Sequence, residues 1–200
     1  MLFKALVTLL FGSEWKLKQR IVAARHPLAR RLMIRLWGGL QYECGSSVAW
    51  NASFAGEPCF PHGIKSIFIS GAAIIGRHAV IFQQVTIGSN TLAGSTGFGA
   101  PKIGDNCYIG AGAKIVGNVR VGNNVRVGAN AVVYQDVPDN SVVLSGEQRT
   151  AAAGHSMDNR FYSFRGRWCW FDEGRWRAVS DPAVLAQLAE SAGRGVSEGA

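Results

Sequence analysis

The sequence predicts a mainly β chain wound as a parallel solenoid of hexads, and three observations carry that prediction. Large apolar residues return every six positions, small or branched residues follow them four places later, and glycine repeatedly falls just after the large residue. A period of six fits neither an α-helix nor an alternating strand. It fits a coil in which each hexad gives a short strand and a corner, three hexads close a triangle, and coils stack about 4.8 Å apart.

The series runs Val48, Phe54, Phe60, then Ile69, Ile75, Ile81, Ile87, then Ile103, Ile109, Ile115, Val121, Val127, Val133. The smaller set is Ala73, Ala79, Val85, Cys107, Ala113, Val119, Val125, Ala131 and Val137. The beat slips twice: by three residues before Ile69 and by ten before Ile103, where SNTLAGSTGFGAPK has the composition of an extruded loop over 89–102. The solenoid is expected to fill residues 46–149.

Residues 1–45 read as a basic helical cap. EWKLKQRIVAARHPLARRLMIRLW places apolar residues at helical spacing among lysines and arginines, giving two amphipathic helices broken near Pro27. One reading has them cover the unpaired edge of the first coil; the other has them lie on an anionic membrane surface. The opening MLFKALVTLLFG is a short apolar run with no A-x-A-like cleavage site, and no stretch reaches the length of a membrane span. Over residues 150–200, RFYSFRGRWCWF, DEG and RWRAV read as a hairpin of alternating aromatic and arginine residues. SDPAVLAQLAES reads as a helix capped by Ser180 or Asp181, and a frayed tail follows. Trp168, Trp170 and Trp176 are packing residues in one reading and sugar-stacking platforms in the other.

A net charge of +8 points to an anionic partner. Clustered aromatic and basic residues occur only in the C-terminal segment, so nucleic acid is not the expected partner. The four cysteines show no metal-ligand spacing, so no metal is expected, and a reduced, cytoplasmic setting follows, with contact at the inner-membrane surface as the second reading.

Counting hexads by threes puts Phe60, Ile81, Ile109 and Val127 on one face. The third residue of each hexad, His62, Gln83, Ala111 and Ala129, then forms a column along one edge. A histidine and an amide stand at one end and bare backbone between small residues at the other. Such a groove suits a base beside an acceptor, followed by a long, thin, amide-bearing ligand. Lys114 ends a groove-face hexad and suits a phosphate.

FPHG followed by IFIS, IFQQVTIGSNT, the glycine-rich loop, APKIGDNCYIGAGAKIVGNVRVGNNVRVGANAVV and DVPDNSVV resemble the hexapeptide acyltransferases, in their serine acetyltransferase-like branch, over about residues 44–149. The resemblance implies a left-handed β-helix, a homotrimer, and acetyl-CoA held between subunits. It further implies His62 as catalytic base, Ala111 and Ala129 as main-chain contacts of the pantetheine arm, and Arg149 near the nucleotide end. Gln83 and Gln84 are expected to support the acceptor or the oxyanion, or to form a polar ladder. The sequence departs from serine acetyltransferases where that branch has acidic residues, here Ser47 and Pro61, and at an Arg-His pair, here Gly99 and Ala100. The expectation is therefore an acetyl-CoA-dependent O-acetyltransferase acting on a sugar hydroxyl of a glycan precursor or a similar small acceptor. L-serine O-acetylation and a non-catalytic scaffold are the alternatives.

Overall fold

A computed structural model describes residues 2–91, 96–146, 149–152 and 158–194. At its centre lies a left-handed parallel β-helix with three faces. The first stacks β1 (Ser47–Val48), β3 (Phe68–Ile69), β6 (Thr86–Gly88), β9 (Lys114–Val116) and β12 (Val132–Val133). The second stacks β2 (Ser53–Phe54), β4 (Ile74–Ile75), β7 (Lys102–Ile103) and β10 (Arg120–Val121). The third stacks β5 (Val80–Ile81), β8 (Tyr108–Ile109), β11 (Arg126–Val127) and β13 (Ser141–Leu144), and closes with β14 (Arg149–Ala152), which runs antiparallel to β13. Most strands are two residues long, because each side of the triangle must turn again within six.

Both residue series point inward. Ile75, Ile81, Ile87, Ile109 and Ile115 are fully buried, and so are Ala73, Val85, Cys107, Ala113, Val125 and Ala131. Each large side chain contributes roughly 1.5–3 kcal/mol by leaving water. The corners are set by residues that tolerate a left-handed backbone, among them Asn106, Asn124 and Asn140 at φ near +55°. These three also bond one another as a ladder, Asn106 Nδ2 to Asn124 Oδ1 at 2.7 Å and Asn124 Nδ2 to Asn140 Oδ1 at 3.0 Å.

The beat slips a third time, which the period of six alone did not reveal. Val137 bridges Val121 on the second face only four residues after Val133, and Val143 then lies over Val127. The corner between Val133 and Val137 is only Tyr134, Gln135 and Asp136, and Asp136 Oδ1 accepts from Arg120 N at 2.7 Å. The extruded segment is tied back through paired bonds between Asn90 and Gly99, and Gly97 O accepts from Asn118 N; residues 92–95 lie outside the described ones.

The N-terminal segment holds three helices where two were expected: α1 (Leu2–Phe11), α2 (Glu14–Ala23) and α3 (Pro27–Cys44). The apolar opening run becomes α1 because Val7 is buried, Phe3 packs over Gly39 of α3, and the Glu43 carboxylate accepts from the N–H groups of Phe3 and Lys4. Gly12, at φ +83°, and Ser13, whose Oγ accepts from Lys16 N, separate α1 from α2. The helices do cover the first coil. Trp37 Nε1 donates to Val48 O, Gln41 Oε1 accepts from Val48 N, and Lys18 Nζ donates to Ala52 O, each at 2.8 Å.

The expected C-terminal hairpin is a three-stranded meander, β15 (Tyr162–Phe164), β16 (Trp168–Asp172) and β17 (Arg175–Ala178). The RGR step is itself a turn, with Gly166 at φ +75°, and Glu173-Gly174 makes the second. Asp181, rather than Ser180, caps α4 (Pro182–Arg194) by accepting from Ala183 N at 2.9 Å, and the helix continues through part of the segment expected to fray. Arg126 on β11 clamps the returning chain: its Nε donates to Asn159 Oδ1 and its Nη2 to Asp158 O, both at 2.7 Å.

Candidate active site

The register confirms the hexad count on the third face. Ile81 stands opposite Ile109 and Ile109 opposite Val127, while Cys59 bridges Val80 one place before Phe60 and Ile81. His62, Gln83, Ala111 and Ala129 therefore share one edge. Gly112 N bonds Gln83 O at 3.0 Å and Asn130 N bonds Ala111 O at 2.9 Å, locking neighbouring corners together.

His62 is exposed on a turn closed by Gly63 N to Phe60 O at 2.9 Å, with Gly63 at φ +71°. The three-residue insertion after Phe60 makes this turn. It is anchored by buried Ile64 and Ile67, by Ser66 N to Cys44 O at 3.0 Å, and by Ser46 Oγ to Ile64 O. The imidazole meets the Phe82 ring edge-on at 5.8 Å between centroids. Among the described residues no carboxylate pairs with it; Ser47, where the resemblance places an acidic partner, is an exposed serine on β1.

Gln83 carries the column's unusual feature. Its Oε1 is buried without a hydrogen-bond partner among the described residues. A buried acceptor left bare costs about 1–3 kcal/mol, so any donor that reaches it is favoured. Further along, the N–H groups of Ala111 and Ala129 donate to no other main-chain group among the described residues, and Ala129 is exposed. A ligand carrying amides fits both observations: its N–H meets Gln83 and its carbonyls meet the free N–H groups.

Three expected residues stand differently from the column. Gln84 is exposed at φ +64°, turned off the edge at the corner. Lys114 lies around that corner on β9, where its Nζ donates to Gln84 O at 2.7 Å, leaving two of its three donors for another group. Arg149 opens β14, and its side chain lies outside the described residues.

Reading the sequence missed a cavity of about 340 Å³ beside His62. Phe60 and Pro61, directly before the histidine, form one side, Trp15 and Lys18 of α2 another, and Phe161 and Trp176 of the meander a third. The alternating aromatics after Arg160 were the available signal, but alternation gives two faces and does not say which one meets the solenoid. Phe82 links His62 to the cavity, since its ring meets His62 at 5.8 Å and the lining residue Phe161 at 6.2 Å between centroids.

Comparison with known proteins agrees with this architecture. Residues 100–135 match the family described as bacterial transferase hexapeptide (six repeats). The serine acetyltransferase of Staphylococcus aureus is 35% identical over 149 residues, covering 72% of this chain and 64% of that one. That of Synechococcus elongatus is 33% identical over 136 residues, covering 66% and 50%. Among solved structures, Neisseria gonorrhoeae serine acetyltransferase superposes with a TM-score of 0.58 at 27% identity, covering 71% of this chain and 51% of that one. Soybean serine acetyltransferase complexed with serine gives 0.56 at 28%, covering 68% and 53%. The chain thus spans about half to two thirds of the length of these relatives. On its repeat and its fold the chain is a hexapeptide-repeat protein with a left-handed β-helix, similar over most of its length to serine acetyltransferases.

Proposed function

We propose that the protein is an acetyl-CoA-dependent O-acetyltransferase in which His62 is the general base. The observation that carries the reading is the column itself: an exposed histidine at one end, an unpartnered buried amide oxygen next, and free main-chain N–H groups beyond. Acetyl-CoA supplies the activated acyl group as a thioester, and the amides of its arm fit Gln83, Ala111 and Ala129. His62 takes the proton of the acceptor hydroxyl as that oxygen attacks, which typically contributes about 10²–10⁴-fold. Transfer is direct, because a groove that holds both partners supplies orientation and needs no covalent relay. His62 then returns the proton to the departing sulfur. Lys114 and Arg149 are the cations proposed for the nucleotide phosphates.

Two acceptors have support. The likeness to serine acetyltransferases favours L-serine over the sugar hydroxyl expected from sequence. Ser47 and Pro61, together with an aromatic cavity beside His62, favour an uncharged hydroxyl. Thiol release from acetyl-CoA with each acceptor, alongside calorimetry with CoA, tests the reading; a protein that neither binds CoA nor releases thiol overturns it.

The proposed assembly is a homotrimer, in which a neighbour supplies the second wall of the open edge. Light scattering checks it, and a monodisperse monomer that still transfers acetyl groups refutes it. A cytoplasmic setting is proposed. Contact with an anionic membrane is proposed for the basic N-terminal helices, beside which α1 exposes Leu2, Leu6, Leu9 and Leu10 along one side. Sedimentation with anionic and neutral vesicles reads that contact.

A further inference from the structure

We infer that the cavity beside His62 is a carbohydrate subsite, taking an uncharged sugar ring that presents one hydroxyl to the base. The inference rests on the transferase reading above. It starts from placement: the cavity ends at Phe60 and Pro61, one residue short of His62, and its lining residue Phe161 meets Phe82, whose ring in turn meets the imidazole. His62 itself stands just outside the lining, next to Pro61 and exposed, so a ring seated at that end of the cavity needs only to extend one hydroxyl past Pro61 to reach it.

The lining gives the chemistry. Trp15, Phe54 and Trp176 come from α2, the first coil and β17, so aromatic surface faces the space from three directions. Sugar rings present C–H faces that pack on such surfaces, while their hydroxyls need both acceptors and donors. Both are present. Glu57 lines the cavity with no ion pair or hydrogen bond among the described residues, Ser163 offers a hydroxyl, and Arg165 lies over the Trp176 ring at 4.1 Å with its donors at the rim. Lys18 does not compete for the ligand: its ammonium donates to Ala52 O and faces the rings of Trp15 and Phe54 at 5.4 and 4.9 Å.

Other ligand classes fit less well. A purely apolar alcohol strands Glu57 and Arg165 without partners. An anion meets Glu14 and Glu57. Free serine fills little of about 340 Å³, and its carboxylate and ammonium each require a dedicated partner.

The test combines binding and turnover. Methyl glycosides of glucose, galactose and N-acetylglucosamine, with L-serine as comparator, are titrated by calorimetry into the full chain and used as acceptors in thiol-release assays. At least one glycoside is expected to bind and to be acetylated more efficiently than serine. Trp176→Ala, and Ser163→Trp as a cavity-filling variant that keeps the meander's aromatic packing, are each expected to raise that glycoside's KM about tenfold or more. CoA affinity is expected to hold, and Trp176→Phe to recover most of the loss. Absence of glycoside binding in a protein that binds CoA, or an unchanged KM in folded Ser163→Trp, overturns the subsite while leaving the transferase. Glycoside binding without CoA binding overturns the transferase reading instead.

Discussion

The solenoid and the C-terminal meander are both β-structure, yet they are held in opposite ways. In the solenoid one device repeats: an inward aliphatic, a small residue and a corner, so that Ile87, Ile109 and Ile115 occupy nearly equivalent, fully buried sites. The meander is attached by single, unrepeated contacts. Arg126 and buried Asn159 hold its entry, Asn159 Nδ2 also reaching Asn106 O at 2.6 Å, and His78 Nδ1 meets Asp172 Oδ1 at 3.4 Å, with Arg177 on the same carboxylate. Repetition spreads stability over many interchangeable positions, whereas single clamps concentrate it where one substitution releases a whole element.

The largest expected effect belongs to neither device. His62→Ala should lower the transfer rate about 10²–10⁴-fold with no shift in melting temperature, because the side chain is exposed and only its turn is structural. A variant that keeps most of the wild-type rate removes the base assignment. Within the solenoid, Ile87→Ala and Ile109→Ala should each cost about 2–5 kcal/mol in denaturant melts and resemble one another. Clearly unequal costs would show that the repeat is not energetically uniform. Asn159→Ala should cost less, about 1–3 kcal/mol, and locally: limited proteolysis should cut near the meander while the solenoid stays protected. Uniform loss of protection would mean that the two regions unfold as one.

The smallest effect is one of pH. Burial pulls the Lys18 ammonium from its ordinary 10.5 down to about 8. Between those values the unfolded chain holds the proton and the native chain does not, so this group makes stability rise with pH across that window. Lys18→Met lacks the titration. The melting temperature of wild type relative to Lys18→Met should therefore climb between pH 7.5 and 10.5, and a constant difference would refute the assignment.

The same contrast explains what could be read from the sequence. Period six fixes which residue faces inward and which face each hexad joins, so the column of His62, Gln83, Ala111 and Ala129 was legible residue by residue. The shortened hexad before Val137 was not, since Val137 satisfies the apolar pattern in either register. Nor were the clamps: Arg126 looks like any outward arginine of the prism, and Asn159 becomes a buried connector only once the chain folds back over Val125. The opening apolar run resolves into α1 through Glu43, a partner about forty positions away. The cavity needed the docking of three segments that no local pattern relates.

Contact distance along the chain sets an order of assembly. Stacked corners bond partners 16 to 18 residues back, or 28 across the extruded segment, so each coil can zip onto its predecessor as soon as it is made. The link from Asn159 to Asn106 spans 53 positions and cannot form until the solenoid beneath it exists. A nascent chain would therefore complete the column first and gain the third wall of the cavity only after the meander is synthesised. On the proposed reading, selectivity for the acceptor would be among the last properties the molecule acquires.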